Sequence, residues 1–276
     1  MQSDISIAFI FDFVNTETNQ FCLAFTPLIT VSAVLFTFVL LLRCLLWQAR
    51  RYTVGMMPAF LTPLLLRRLA LSAVLLADVL YAEFLAPKGD PPGNLFVELA
   101  LGQGPGRNPA IWGVFQLLGV VPLLYWALLF PDGRGQRVWA WPFALGMMAF
   151  GAFSLLPYLI LRRDYSKAVP GKKNLAVRWF GGRPFAVFAA AALIALLLTI
   201  MVWGNLADYI FWFRRSNFVN VMTVDLLVLT LLFPTLLRDD MARRGVSDDS
   251  TLERIALGVP LLGPAYYLMR RPAEAA

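Results

Sequence analysis

The sequence contains no histidine, and this absence excludes several classes of membrane site. Membrane haem b sites, histidine-box di-iron sites and intramembrane zinc sites all depend on imidazole ligands. Lysine is scarce: Lys88, Lys167, Lys172 and Lys173 all lie between the long apolar windows, which excludes a retinal-type Schiff base inside the membrane. Nucleophilic catalysis also lacks its parts, because a serine needs a histidine or a nearby lysine as its base.

Charge is scarce as well. Charged residues make up 15% of the chain and hydrophobic residues 59%, whereas soluble domains average about 25% and about 45–50%. The apolar residues form windows of about 20, which is the length that a helix needs to cross a bilayer core about 30 Å thick. The net charge of +7 comes from arginine clusters beside these windows, so it indicates membrane topology and contact with membrane lipids, not nucleic acid.

The sequence also contains only two cysteines, and it has no basic residue before Arg43. Cys22 and Cys44 lie near opposite ends of one predicted span, about 33 Å apart along a helix, so they cannot form a disulfide with each other. Acidic residues precede the first basic residue, Arg43, which is unlike a signal or transit peptide. We therefore expect no targeting peptide in this sequence.

The apolar windows predict an all-α, polytopic transmembrane helix bundle that forms a single integral membrane domain over residues 1–276. Pro131 to Gly135 are predicted to join the third and fourth spans in a helical hairpin. A seventh window is short and contains Pro260 and Pro264, so it is either a broken span or a re-entrant hairpin. The six predicted spans are about 21–42, 69–86, 110–130, 138–161, 184–203 and 217–237, and the seventh window is 255–269.

The distribution of basic residues gives an ambiguous orientation. With seven alternating crossings, one face carries 13 lysines and arginines and the other carries 11. The segment from Arg162 to Arg183 holds seven basic residues and one acidic residue, which favours a cytoplasmic or stromal fourth loop. No internal inverted repeat of the kind found in many transporters is apparent.

Two carboxylates lie inside predicted spans and form the candidate intramembrane polar site. Asp78 is near the centre of the second span and Asp225 near the centre of the sixth. An ionised carboxylate in the bilayer centre is costly and tends to face a cavity, a partner or a proton path. The alternative is a neutral, hydrogen-bonded carboxyl that stabilises helix packing. Glu83 belongs to the same candidate site, although its position near Pro87 favours the membrane interface.

A second acidic cluster follows the sixth span. Asp239 and Asp240 precede Arg243 and Arg244, a pattern similar to fragments of the motifs with which some membrane transferases hold a metal and a nucleotide. The spacing differs from those motifs, and no second aspartate pair lies at the required distance. A solvated helix end with ion pairs between neighbouring turns is the simpler interpretation, so we predict no catalytic or metal-binding residues here.

Two tracts carry a family resemblance. They are residues 151–158 (GAFSLLPY), and Asp225 followed by residues 240–244 (DMARR) and 259–264 (VPLLGP). Together they resemble uncharacterised polytopic membrane proteins of cyanobacteria and chloroplasts. The resemblance implies a photosynthetic membrane, either a thylakoid or a bacterial inner membrane, and it brings no catalytic residues with it.

The expected function is that of a non-enzymatic accessory or assembly component that packs against other membrane protein subunits. The 22 phenylalanines, the 8 tryptophans and the seams of small residues favour this hypothesis, with lipid or pigment bound between subunits. The alternative is a proton-coupled or small-solute transporter that uses Asp78 and Asp225. A further alternative is a lipid-modifying transferase that uses Asp239 and Asp240.

Overall fold

The computed structural model describes residues 63–89, 95–102, 108–163, 175–246 and 250–272, and the predicted span 21–42 lies outside them. Residues from Arg67 onward form one compact unit, and the preceding unit is described only over the first turn of α1. The described part is all-helical, as predicted. Its helices are α1 (Pro63–Leu80) followed by a π-helical turn (Tyr81–Leu85), α2 (Leu95–Ala100), α3 (Pro109–Gly133), α4 (Ala140–Leu161), α5 (Leu175–Phe180), α6 (Arg183–Trp203), α7 (Leu206–Arg215), α8 (Asn217–Arg243), α9 (Thr251–Gly258) and α10 (Leu262–Arg270).

Four helices in the described part are long and apolar enough to cross a membrane: α3, α4, α6 and α8. This agrees with an integral membrane protein, but the prediction of six confident spans is not confirmed. The window predicted at 69–86 corresponds to α1 and its π-helical turn, whose charged residues interrupt the apolar run. The seventh window, 255–269, is divided between the two short helices α9 and α10.

Helix α3 defines the two ends of the bundle, here named the Asn108 end and the Asp132 end after residues at its start and finish. Helix α6 runs antiparallel to α3, because Gly113 lies against Ile200 and Gly181 lies against Pro131. Helix α8 runs parallel to α3, since Ile111 shares a core cluster with Val219 at the Asn108 end and Arg243 pairs with Asp132 at the other end.

Helix α1 and its π-helical turn also run from one end of the bundle to the other. Near the start, the Arg67 guanidinium donates a hydrogen bond of 2.8 Å to the Arg162 carbonyl at the Asp132 end. Beyond the π-helical turn, the backbone oxygen of Gly89 accepts from the Asn217 amide at 2.6 Å, at the Asn108 end. The stripe Arg67, Leu71, Val74 and Asp78 is buried at helical spacing, so Asp78 faces the bundle interior.

Helix α4 does not run straight. At Gly151 the backbone has φ 47° and ψ −124°, which divides the element into residues 140–150 (α4a) and 152–161 (α4b). The Ser154 hydroxyl donates to the Phe143 carbonyl at 3.0 Å, although a straight helix would hold these residues about 16 Å apart along its axis. The two halves of α4 therefore pack against each other.

Both ends of α4 lie at the Asp132 end of the bundle. Gln136, before α4a, and Arg163, after α4b, exchange hydrogen bonds of 2.7 and 2.8 Å. Ala140 lies against Gly133 at the end of α3. The segment at 138–161 therefore enters the bundle, turns at Gly151 and leaves by the same end, so the predicted crossing is not confirmed although its length and composition suit one. The predicted helical hairpin is formed by α3 and α4a, where the Trp126 indole N–H donates to the Ala144 carbonyl at 2.7 Å.

Helices α9 and α10 form a second broken segment. Between them Leu261 has a positive φ of 58°, and a Cβ on Gly263 would overlap the Ile255 and Ala256 carbonyl oxygens, so the helices pack closely at the break. After α10, the Pro272 carbonyl accepts from Arg244, which follows α8 directly. Of the two predicted alternatives for 255–269, the structure favours the re-entrant hairpin.

The element order repeats within the described part of the chain. A long helix, a short helix at the Asn108 end, a second long helix and a broken re-entrant segment appear first as α1 to α4 and again as α6 to α10. Residues 128–131 and 231–234 both read Leu-Leu-Phe-Pro, near the ends of α3 and α8. Because α3 and α8 are parallel, the two halves have the same orientation, which differs from the inverted repeat found in many transporters.

Candidate functional site

The break in α4 places backbone amides against a buried carboxylate. The Ala152 amide, the first N–H of α4b, donates to Asp225 Oδ1 at 2.7 Å. Asp225 is only 6% exposed and lies about 12 Å along α8 from its first residue. The carboxylate thus caps the amino terminus of a half-helix, where the N–H groups and the helix dipole favour a negative charge.

Gly151 is required for this contact on two counts. Its positive φ is a conformation that side-chain-bearing residues rarely adopt, and a Cβ on this residue would overlap the Asp225 carboxyl group. A break in a helix inside a membrane leaves backbone groups to be satisfied by other partners. Asp225 satisfies the Ala152 amide, and Ser154 satisfies the Phe143 carbonyl.

Asp78 approaches the same site from α1. It is 5% exposed, and its charge acts on the Asp225 carboxyl less strongly than burial and the Ala152 amide do. Among the residues that the structure describes, nothing forms a hydrogen bond with Asp78 Oδ2, which is itself buried. The two predicted intramembrane carboxylates therefore lie in the same region of the bundle with no hydrogen bond between them, and the site combines one carboxylate bound to a helix terminus with one that has an open acceptor.

The third predicted member, Glu83, is not part of this site. It lies in the π-helical turn Tyr81–Leu85, is exposed, and precedes the chain's arrival at the Asn108 end. Its neighbour Tyr81 instead faces inward and donates to Asn220 at 2.8 Å. The sequence-based placement of Glu83 near the interface agrees with this position.

A buried ionic cluster occupies the Asp132 end. Asp132 is fully buried, and its two oxygens accept from the Arg162 guanidinium at 2.7 and 3.0 Å, from Arg243 at 2.8 Å and from the Tyr158 hydroxyl at 2.5 Å. Burial alone would lower the pKa of Arg162, but the carboxylates of Asp132 and Asp239 raise it above its ordinary value. The side chain is therefore a permanent cation within the cluster.

Asp240 is the centre of a matching set of contacts. It accepts from the Tyr267 hydroxyl at 2.8 Å, from Arg271 at 3.3 Å and from Arg244 at 2.9 Å. Burial and the neighbouring Asp240 carboxylate raise the pKa of Tyr267 well above its ordinary value, so the phenol stays a proton donor. Burial lowers the pKa of Arg271 despite the opposing effect of Asp240.

The two clusters repeat one motif. In each, an aspartate at the end of a long helix binds a tyrosine and an arginine that lie four residues apart on the returning helix of the re-entrant segment. The motif is Asp132, Tyr158 and Arg162 in the first half and Asp240, Tyr267 and Arg271 in the second. Ion pairs between the halves, Arg162 with Asp239 at 2.5 Å and Arg243 with Asp132 at 2.8 Å, join the motifs.

These contacts correct the interpretation of Asp239 and Asp240 as part of a solvated helix end. Asp240 is 1% exposed and its oxygens are occupied by arginine and tyrosine donors. A carboxylate surrounded by guanidinium groups is a poor metal ligand because the cations compete for the same lone pairs. Within the described ranges, no cluster of three or more histidine, cysteine or acidic side chains could hold a metal ion.

Several residues of both sites were not identified from the sequence. The sequence places Asp132 in the predicted turn from Pro131 to Gly135, and it places Gly151 inside the continuous predicted span 138–161. The sequence does contain one signal for the ionic clusters: Tyr158 and Arg162 are four residues apart, and so are Tyr267 and Arg271.

Comparison with known proteins returns no relative from which a function could be transferred: no family model matches the chain, and no curated protein or solved structure is significantly similar to it.

Proposed function

We propose that the protein is a proton-coupled transporter of a small solute, with Asp78 and Asp225 as its proton-binding pair. The observation that carries the proposal is the presence of two buried carboxylates in the bundle interior: Asp225 caps the broken re-entrant helix α4, and Asp78 Oδ2 is buried and without a hydrogen bond among the described residues. Ionisable groups inside a membrane are rare and are typical of proton and ion pathways. Broken helices whose termini face a buried charged group are typical of secondary transporters.

The burial of both carboxyl groups supports a proton as the coupling ion. A buried carboxyl with no cationic partner favours its neutral, protonated form, and ionisation of both carboxyls would be opposed by their like charges. A metal cation such as Ca²⁺ takes about six to eight oxygen ligands, often including carboxylates, and no cluster of three or more histidine, cysteine or acidic side chains occurs in the described ranges. When Asp78 loses its proton, its negative charge would act on the Asp225 carboxylate and on the hydrogen bond between Asp225 and the Ala152 amide.

The test is proton flux in proteoliposomes that contain the purified chain and an internal pH-sensitive dye. A pH gradient is applied, and a panel of small organic solutes is added one at a time. We expect at least one solute to accelerate proton entry, and Asp78→Asn and Asp225→Asn to abolish the acceleration. Glu83→Gln, which removes an exposed acid on the π-helical turn next to α1, is the matched control and should leave it unchanged. Asparagine variants that behave as the wild type would sink the proposal.

The accessory-subunit hypothesis is the second candidate, and the exposure of α6 favours it. Only 22% of the most apolar window of α6 is buried, compared with 61% for α8, so α6 has surface for another subunit or for lipid. Under this hypothesis the protein resides in a thylakoid or bacterial inner membrane and migrates within a larger complex on a native gel after mild detergent extraction. Migration as a single chain would remove its main support.

A further inference from the structure

We infer that a groove between α5 and α6 at the Asp132 end binds an anionic phospholipid of the membrane. The groove has a volume of about 500 Å³ and is lined by Leu175, Arg178, Trp179, Gly182, Phe185 and Phe188. This site is separate from the carboxylate pair and does not rest on the proposed transport function.

Contacts outside the groove fix the positions of the two helices that form it. Helix α5 is fixed to α3 through Phe180, whose ring stacks on Phe130 with centroids 5.0 Å apart and meets Trp126 edge-on at the same distance. The turn between α5 and α6 is also fixed, because the Arg271 guanidinium donates to the Gly181 carbonyl at 2.9 Å. The walls of the groove are therefore held apart by contacts outside it.

The lining matches the two parts of a phospholipid. Trp179 is 70% exposed and Phe188 is 63% exposed, so large apolar surfaces are open where α6 enters the membrane region. Tryptophan at this level is typical of the membrane interface. Phe188, one turn deeper in α6 than Pro184, extends the apolar surface toward the bilayer core, where an acyl chain lies.

The charge of the groove favours an anionic headgroup. Arg178 lines it and Arg183 begins α6 beside it, whereas no acidic side chain lines it and none pairs with Arg178 among the described residues. A basic side chain at a membrane surface contributes about 1 kcal/mol of attraction to anionic lipid, which is about fivefold in occupancy.

The experiment places benzoylphenylalanine at Phe188 in the full chain, reconstituted in vesicles of equal phosphatidylglycerol and phosphatidylcholine, and analyses the photoadducts by mass spectrometry. The matched control carries the probe at Met201, an 80% exposed position near the opposite end of α6. We expect phosphatidylglycerol adducts at position 188 to exceed phosphatidylcholine adducts about fivefold, and adducts at position 201 to follow the vesicle composition.

Arg178→Gln should bring the adduct ratio at position 188 close to that at position 201, whereas Lys88→Gln, at the Asn108 end, should not change it. Because Arg178 is exposed, the variant is expected to fold, and unchanged thermal unfolding would verify this. Equal lipid ratios at the two probe positions would overturn the inference. Adducts of position 188 with residues 1–62, or with a second copy of the chain, would equally overturn it.

Discussion

At the scale of single residues, Asp225 has a structural role in addition to the proposed chemical one. Its carboxylate accepts the Ala152 amide and so stabilises the start of α4b. An asparagine at this position keeps an acceptor oxygen and is itself a good helix cap. Asp225→Asn therefore separates the two roles, since it retains the cap and removes the titratable group, whereas Asp225→Ala removes both.

We predict that Asp225→Ala lowers the free energy of unfolding by about 0.5–2 kcal/mol through loss of the cap, and that Asp225→Asn costs less. The measurement is the thermal or denaturant-induced unfolding of the purified protein in mild detergent. An Asp225→Asn variant that is destabilised as strongly as Asp225→Ala would show that the negative charge itself, not the hydrogen bond, stabilises α4b.

Gly151 gives the second residue-scale prediction. Gly151→Ala forces a side chain into a positive-φ position and against the Asp225 carboxyl group, so we expect a loss of about 1–3 kcal/mol from backbone strain, with further loss from the overlap. Gly119→Ala is the matched control: Gly119 lies in α3, and a Cβ there would meet nothing within 4 Å. This control should be neutral or stabilising by up to about 1 kcal/mol. Equal stability of the two variants would contradict the described break.

At the scale of elements, the ends of the re-entrant segments are fixed by ion pairs and not by apolar packing alone. Asp132 is bound by Arg162 from α4 and by Arg243 from α8, so one carboxylate joins three elements. Buried ion pairs contribute little over well-packed apolar groups, but removal of one partner leaves buried charge uncompensated. The clusters thus make the positions of both re-entrant segments depend on each other.

Asp132→Asn should lower the free energy of unfolding by about 3–5 kcal/mol, because Arg162 and Arg243 would lose a buried counter-ion. The double variant Asp132→Asn with Arg162→Gln should recover part of this loss, with a coupling energy of about 0.5–3 kcal/mol. Glu83→Gln, at an exposed acid, is expected to have no comparable effect. Additive losses in the double variant would show that the two side chains do not act as a pair.

The elements also show what could be predicted from the sequence. The apolar windows correctly identified α3, α6 and α8, because continuous runs of about 20 apolar residues are a strong signal. The same signal predicted one crossing at 138–161, because two half-helices of about ten residues joined by Gly151 have the length and composition of one span. Asp78 and Asp225 were found because charge is rare inside such windows, whereas Asp132 and Asp240 lie at window ends, where solvated charge is the usual expectation.

At the scale of the whole molecule, the return of α4 changes the distribution of positive charge. If every predicted span crossed the membrane, the segments before and after α4 would lie on opposite faces. In the structure both lie at the Asp132 end. The described basic residues there are Arg67, Arg68, Arg134, Arg137, Arg162, Arg163, Arg178, Arg183, Arg238, Arg243, Arg244, Arg254, Arg270 and Arg271. The Asn108 end has Lys88, Arg214 and Arg215 within the described ranges. The positive-inside rule then predicts that the Asp132 end is cytoplasmic or stromal.

This orientation is tested by labelling single cysteines with a membrane-impermeant maleimide in intact bacterial cells, starting from a chain with Cys22 and Cys44 replaced. Arg137→Cys and Arg163→Cys should both be protected, and Arg215→Cys should be labelled. Labelling of only one of positions 137 and 163 would mean that residues 140–161 cross the membrane after all. Labelling of both, with position 215 protected, would reverse the orientation but keep the re-entrant segment.

Infrared difference spectroscopy of the reconstituted protein tests most directly, without knowledge of the solute, whether Asp78 and Asp225 bind and release protons inside the membrane. Spectra recorded at acidic minus neutral pH should contain a protonated carboxyl band that shifts in deuterated water. We predict that each of Asp78→Asn and Asp225→Asn loses part of the band, that the double variant loses both parts, and that Glu83→Gln retains them. A spectrum that is the same in the wild type and in the double asparagine variant would contradict the account.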